Sequence, residues 1–143
     1  MINGPNGNYT IYKKSISQSS IVSNYVKDLA WDTNRNMLWI ATDNGLSRYI
    51  PSEDKFFNIQ TTPYADSIVE NDISELLVAT RSGRLWYTTE TEPGINCLSV
   101  EFDSESKSPP PANHFEHDPI DEKSIADNNI CLLYTSDAAD EAK

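Results

Sequence analysis

The stretch Ser20–Val26, "SIVSNYV", returns 47 residues later as "SIVENDI" at Ser67–Ile73, and 57 residues after that as "SIADNNI" at Ser124–Ile130. Self-similarity at such a period marks supersecondary units that bury their apolar faces only by stacking on their neighbours, as propeller blades do. A second landmark keeps the same phase. Trp39 lies 13 residues beyond Val26, and Trp86 lies 13 residues beyond Ile73. Each tryptophan follows a leucine, Leu38 or Leu85, and precedes a threonine three positions on, Thr42 or Thr89.

Within the first unit the local patterns are those of strands. Val26–Asp32 is a β-rich run closed by the turn cluster "TNRN". Met37–Thr42, "MLWIAT", is short, continuous and apolar, as a strand covered on both faces should be. Asp43-Asn44-Gly45 supplies the strongest hairpin signal in the chain. Asn44-Gly45 is therefore expected to form the two-residue turn into Leu46–Ile50, because both residue types tolerate positive φ. "PSEDK" turns the chain again and Phe56–Gln60 completes the set. These are four short strands in an antiparallel meander, with no helical period to compete.

The second unit repeats the course with Ile73–Ala79, Arg84–Thr89, Ile95–Phe102 and His114–His117. Its last turn is swollen to "DSESKSPPPAN", whose three consecutive prolines favour a stiff extended loop outside any ladder. Asn8–Tyr12 fits the last strand of an earlier unit. The expected organisation is the end of a preceding blade over 1–19, blades over 20–66 and 67–123, and the start of another over 124–130. The fold class is all-β: a partial β-propeller of about two four-stranded antiparallel blades with flanking strands.

Charge narrows the function. Eleven basic residues stand against 22 acidic ones, a net charge of −11 that repels phosphate backbones, so nucleic acid is not an expected partner. No apolar run approaches the roughly 18 residues of a membrane span, so direct insertion in a membrane is not expected either. The first residues, "MINGPNGNYTIYKK", lack the apolar core of a signal peptide, and Met1 reads equally as a start or an internal methionine.

The run "SNYVKDLAWDTNRNMLWIATDNGLSRYIPSEDKFFNI" strongly resembles the two-component-regulator propeller repeat, whose pattern runs V–I–D–G–LWIGT–GL–RYD–F. Val26, Leu29, Asp32, Leu38-Trp39-Ile40, Thr42, Gly45-Leu46, Arg48-Tyr49 and Phe56 occupy that pattern. "HFEHDPIDEKSIADNNI" is similar to the family's inter-blade linker. The second unit departs from the pattern, keeping Leu85-Trp86 and Gly83 but not the Asp or the Gly-Leu-x-Arg-Tyr. The first departs in its "TNRN" turn, one residue longer than the pattern, with Asn36 near the usual glycine.

The resemblance implies propellers of about seven blades in the periplasmic sensor half of bacterial hybrid histidine kinases. Such receptors abound in Bacteroidetes and sense breakdown products of complex polysaccharides. It also implies a homodimeric parent, an oligosaccharide ligand, a phosphorelay downstream, no cofactor and no enzymatic activity in this region. The alternatives are a propeller enzyme acting on polysaccharide, or a protein-docking propeller.

After Ile130 the family would continue with an apolar strand and another Trp, but the sequence reads "CLLYTSDAADEAK". Written as TGT-CTC-TTA-TAC-ACA-TCT-GAC-GCT-GCC-GAC, its first ten residues resemble the mosaic end and adapter of transposase-based sequencing libraries. Cys131–Lys143 is therefore expected to be translated adapter, and the chain a piece of a longer protein.

Trp39 and Trp86, mid-strand in apolar runs, read as structural repeat residues that pack between blades, with Asn44 and Gly45 as the structural turn. Trp31, beside Asp32 at the end of an inner strand, is the candidate ligand platform, and a half-buried structural Trp is the competing reading. His114 and His117 would point to opposite faces of one strand, which argues against a shared metal. Cys97, within a strand, reads as a small buried apolar group. No acid/base pair, nucleophile frame or phosphate-cradling loop stands out, so no catalytic or metal residue is assigned.

Overall fold

The computed structural model describes residues 8–16, 19–60, 72–101 and 112–130, and all regular structure among them is β. Four strands, β1 Val26–Asp32, β2 Met37–Thr42, β3 Gly45–Ile50 and β4 Lys55–Ile59, pair in chain order as one antiparallel sheet. Four more, β5 Ile73–Ala79, β6 Arg84–Thr89, β7 Ile95–Ser99 and β8 Asn113–Phe115, form the second in the same way. The chain is all-β, and the two meanders are blades of a partial propeller.

The sheets are copies in detail. Trp39 pairs with Ala30 and Arg48, while Trp86 pairs with Leu77 and Cys97. The first pair of strands in each sheet slips register at one place, between Val26 and Asp28 and again between Ile73 and Glu75, so a bulge recurs at the equivalent position. The turn "TNRN" has the same length as "TRSG", and Asn36 takes a positive φ of 50° where Gly83 takes 65°. Asn is among the residues that adopt this left-handed region at least cost.

One turn differs from expectation. Thr42 pairs with Gly45, so the two-residue loop is Asp43-Asn44 and Gly45 opens β3. Asn44 is not at positive φ; Gly45 carries it one position later, at 121°. The Thr42 hydroxyl fastens the loop, donating to the Gly45 carbonyl at 2.7 Å and accepting from the Asn44 amide at 3.1 Å. The reason for glycine is local crowding: a Cβ there would stand 2.5 Å from the Ile59 carbonyl oxygen at the end of β4.

The register also recovers the glycine that the second unit is expected to lack. Tyr87 pairs with Asn96 as Ile40 pairs with Ser47, which sets Gly94 at the place of Gly45. A Cβ on Gly94 would meet the Phe115 carbonyl oxygen at 2.2 Å, the same collision with the end of a fourth strand. The β6–β7 connection is two residues longer than its counterpart, which hides the match in the sequence. Asn8–Tyr12, expected as a strand, has no strand pairing, and β7 and β8 end at Ser99 and Phe115, short of the expected limits. Residues 67–71, 103–111 and 131–143, which include most of the middle marker, the proline run and the expected adapter tail, lie outside the described residues.

One core joins the sheets. Trp39, Ala41, Leu46 and Ile59 on one face of the first meet Leu76, Val78, Leu85, Tyr87 and Leu98 on one face of the second. A polar seam borders that core. Lys27 pairs with Asp72 and Glu90, Asp28 accepts the Leu76 amide at 2.8 Å, and Arg35 reaches Glu101 at 2.5 Å and the Thr80 carbonyl at 3.1 Å.

The recurring serine and asparagine have a shared geometry. Ser20 Oγ accepts the Ser15 amide at 3.1 Å and donates to the Ser15 carbonyl at 3.0 Å. Ser124 Oγ does both to Asp118, at 2.9 Å each. Asn24 Oδ1 accepts the Lys14 amide at 2.6 Å, and Asn128 Oδ1 accepts the His117 amide at 2.5 Å. The marker is thus a clasp that closes the connector between one sheet and the next.

Candidate functional site

Each residue singled out in the sequence has a definite place. Trp31 and Asp32, adjacent on β1, point to opposite faces. The Trp31 indole is exposed on the face turned away from the second sheet. Asp32 is fully buried, its carboxylate accepting the amides of Asn34 and Arg35 at 3.1 and 3.2 Å and the Arg35 guanidinium at 3.1 Å. Those bonds close the "TNRN" turn, and the two residues do not converge on one site.

Trp39 is fully buried, with the Arg48 guanidinium 5.9 Å from its ring centre and 5.1 Å from that of Phe57. Burial pulls the Arg48 pKa down, although a guanidinium still holds its charge. Trp86 is half-buried on the outer face of the second sheet, its ring 6.0 Å from Phe115. His114 and His117 are used separately. His114 has Nδ1 2.6 Å from Asn96 Oδ1 and Nε2 2.6 Å from Glu116, whereas His117, beyond the strand, has Nδ1 2.7 Å from the Ile125 carbonyl. Cys97 is buried, and desolvation raises its thiol pKa, the opposite of what a nucleophile needs. Among the described residues no three His, Cys, Asp or Glu side chains gather as metal ligands.

The main concavity lies elsewhere. A groove of about 370 Å³ runs between the β6–β7 loop, Thr89 to Gly94, and residues Asp127 to Ile130 of the last connector. Glu90, Glu92 and Asp127 give it negative character, and Thr88, Thr89 and Thr91 line it with hydroxyls. Its walls are fixed to one another. The Gly94 amide donates to the Asn128 carbonyl at 3.1 Å, and Thr89 Oγ1 donates to the Glu92 carbonyl at 3.1 Å. Glu90 is also tied to Lys27 of the first sheet. Burial works against the Lys27 charge, but the hydrogen bonds to Asp72 and Glu90 outweigh it and hold the ammonium above its ordinary pKa.

Such a wall accepts hydrogen bonds from hydroxylated or cationic ligands and supplies no apolar floor for stacking. Sequence reasoning passed over these residues because acids and threonines scattered in a loop carry no spacing rule. The available signal was the loop's extra length directly against the third marker.

No family model matches the chain, and no curated protein does. Two solved structures do. Both are the extracellular domain of BT4673 from B. thetaiotaomicron, described in one as a hybrid two-component system and in the other as a one-component system. The first is 20% identical at a TM-score of 0.44, with 78% of this chain covered, and the second is 19% identical at 0.44, with 80% covered. The chain spans 19% of the length of each. Among the described residues no helix is long and apolar enough to cross a membrane.

Proposed function

We propose that this chain is part of the periplasmic, ligand-sensing propeller of a hybrid two-component sensor of the Bacteroidetes type, and that it works without catalysis by binding oligosaccharide released from polysaccharide. The observation that carries the reading is the way the repeat pattern lies on the first sheet. Val26 and Leu29 fall on β1, Leu38-Trp39-Ile40 and Thr42 on β2, and Gly45-Leu46 with Arg48-Tyr49 on β3, so the pattern positions are pairing and packing positions of one blade. On this reading the parent is a homodimer whose bound sugar shifts a phosphorelay beyond the membrane.

The ligand would reach either the hydroxyl-rich groove or the exposed Trp31 ring, and these two are separable. Calorimetric titration of the parent sensor with a panel of acidic, neutral and amino oligosaccharides should give saturable binding to one class. Glu92→Gln should weaken it tenfold or more if the groove is the site, and Trp31→Ala should do so if the indole is the platform. Absence of binding across the panel would overturn the sensing proposal, and turnover of the sugars would replace it with an enzyme.

A further inference from the structure

Because the two sheets are copies in register, the joint between them states what each face of a sheet is shaped to meet. The face of the first sheet that bears Trp39 seats on the face of the second that bears Leu76, Val78 and Leu85. The first sheet has a face equivalent to that receiving surface, and it is open. Val26, Leu29 and Trp31 are 48%, 55% and 44% exposed, whereas their counterparts Ile73, Leu76 and Val78 are 0%, 6% and 5% exposed. The second sheet has a face equivalent to the inserting surface, and it too is uncovered: Phe115 is 44% exposed where its counterpart Ile59 is 1% exposed. One molecule thus carries, at opposite ends, both halves of the joint it already contains.

We propose that the chain associates head to tail with a second copy of itself, the Trp86 face of one copy's second sheet seating on the Val26, Leu29 and Trp31 face of the next copy's first sheet. Burying such apolar surface supplies the drive. The contact is heterologous, so each added copy leaves the same pair of ends free, and the series closes into a ring or extends as a filament.

The receiving face already holds one element of an incoming sheet. Residues 14–15 engage their clasp as residues 117–118 engage theirs, which sets Tyr12 at the place of Phe115. Its ring packs 5.1 Å from Tyr49 and 5.3 Å from Phe56, occupying the fourth-strand position on that face. The incoming sheet therefore seats through β5, β6 and β7, and its three-residue β8 yields to residues 10–12 of the receiving copy.

The test is sedimentation velocity of the full chain over a hundredfold concentration range, with circular dichroism to establish that each variant keeps its β signal. The wild type is expected to form species larger than a dimer as concentration rises. Trp31→Asp destroys one half of the joint and Trp86→Asp the other, so each variant alone should sediment as a monomer. An equimolar mixture should form a one-to-one heterodimer and nothing larger, through the half each retains. Leu29→Lys, at an exposed position, repeats the Trp31 arm, and Leu77→Lys repeats the Trp86 arm if Trp86→Asp loses its β signal. A wild type that stays monomeric overturns the proposal, as does one that stops at a symmetric dimer. Variants that fail to complement one another in the mixture, as in indiscriminate aggregation, overturn it equally.

Discussion

At the residue scale, two glycines and one tryptophan bear the repeat. Gly45 and Gly94 sit where a fourth strand ends against the start of a third, and neither place has room for a side chain. Gly45→Ala combines a backbone at φ 121° with a Cβ 2.5 Å from a carbonyl oxygen. It should cost about 2 kcal/mol or more, measured by denaturant unfolding. Asn36→Gly, at a mere φ preference with no such collision printed against it, should change stability by less than about 1 kcal/mol. Trp39 is fully enclosed by both sheets, so Trp39→Ala should lose about 3–5 kcal/mol in the same measurement. A loss below about 1 kcal/mol would mean that the indole is not packed as described.

At the element scale the N-terminal segment and the β3–β4 turn depend on one cluster. The Tyr12 and Tyr49 hydroxyls lie 2.8 Å apart, and they donate to Asp54 Oδ1 at 2.7 and 2.8 Å. The hydrogen bond with Tyr12, then desolvation and the bond to Asp54, push the Tyr49 pKa well above its ordinary value. The folded chain therefore holds that proton more tightly than the unfolded chain. The stability so contributed is intact below the free phenol's pKa of about 10 and is lost as pH rises through the higher folded value. The bonds from Tyr12 and Tyr49 hold Asp54 below the usual carboxylate range, so its share is present above that range and is lost as pH falls through the depressed value. Titration followed by tyrosinate absorbance should show one tyrosine ionising late and residues 8–16 gaining hydrogen exchange in step. Tyr49→Phe should remove the late ionisation.

Strands were legible at this scale because β-branched and apolar runs between turn clusters have few other uses. β1, β2, β5 and β6 carry the bounds their residues predict. The turn at Asp43-Asn44 was misplaced by one residue because an Asn-Gly pair reads alike whether the positive φ falls within the loop or just after it. Asn8–Tyr12 has strand composition, but no third strand lies beside it to pair with, and composition cannot report a missing neighbour. The groove stayed hidden for a related reason: two segments 33 or more residues apart in the chain meet there, joined by backbone bonds that residue type does not encode.

At the scale of the whole molecule the shared core matters most. The cluster from Trp39 to Val100 runs through both sheets without a polar break, so neither sheet has a core of its own. The two should unfold as one unit. Leu85→Ala in the second sheet and Trp39→Ala in the first should each lower the midpoint of a single transition, the former by about 2–5 kcal/mol in stability. Two resolved transitions would show instead that each sheet stands alone. With two open faces the balance is expected to be marginal, and the thermal midpoint should depend on protein concentration wherever copies cover those faces.

The clasps at Ser15–Ser20 and Asp118–Ser124 have a consequence for ancestry. Each is closed by atoms within its own connector, so its shape owes little to whichever sheet precedes it. A gene cut within one connector and rejoined at the matching point of another would rebuild an intact clasp from two old halves. Unequal crossing-over at these points inserts or removes complete modules, and no new contact has to be invented at the scar. The serine-isoleucine signature is then the seam along which such genes lengthen and shorten. Drift is left free to act on what lies between seams, as the swollen β7–β8 connection illustrates.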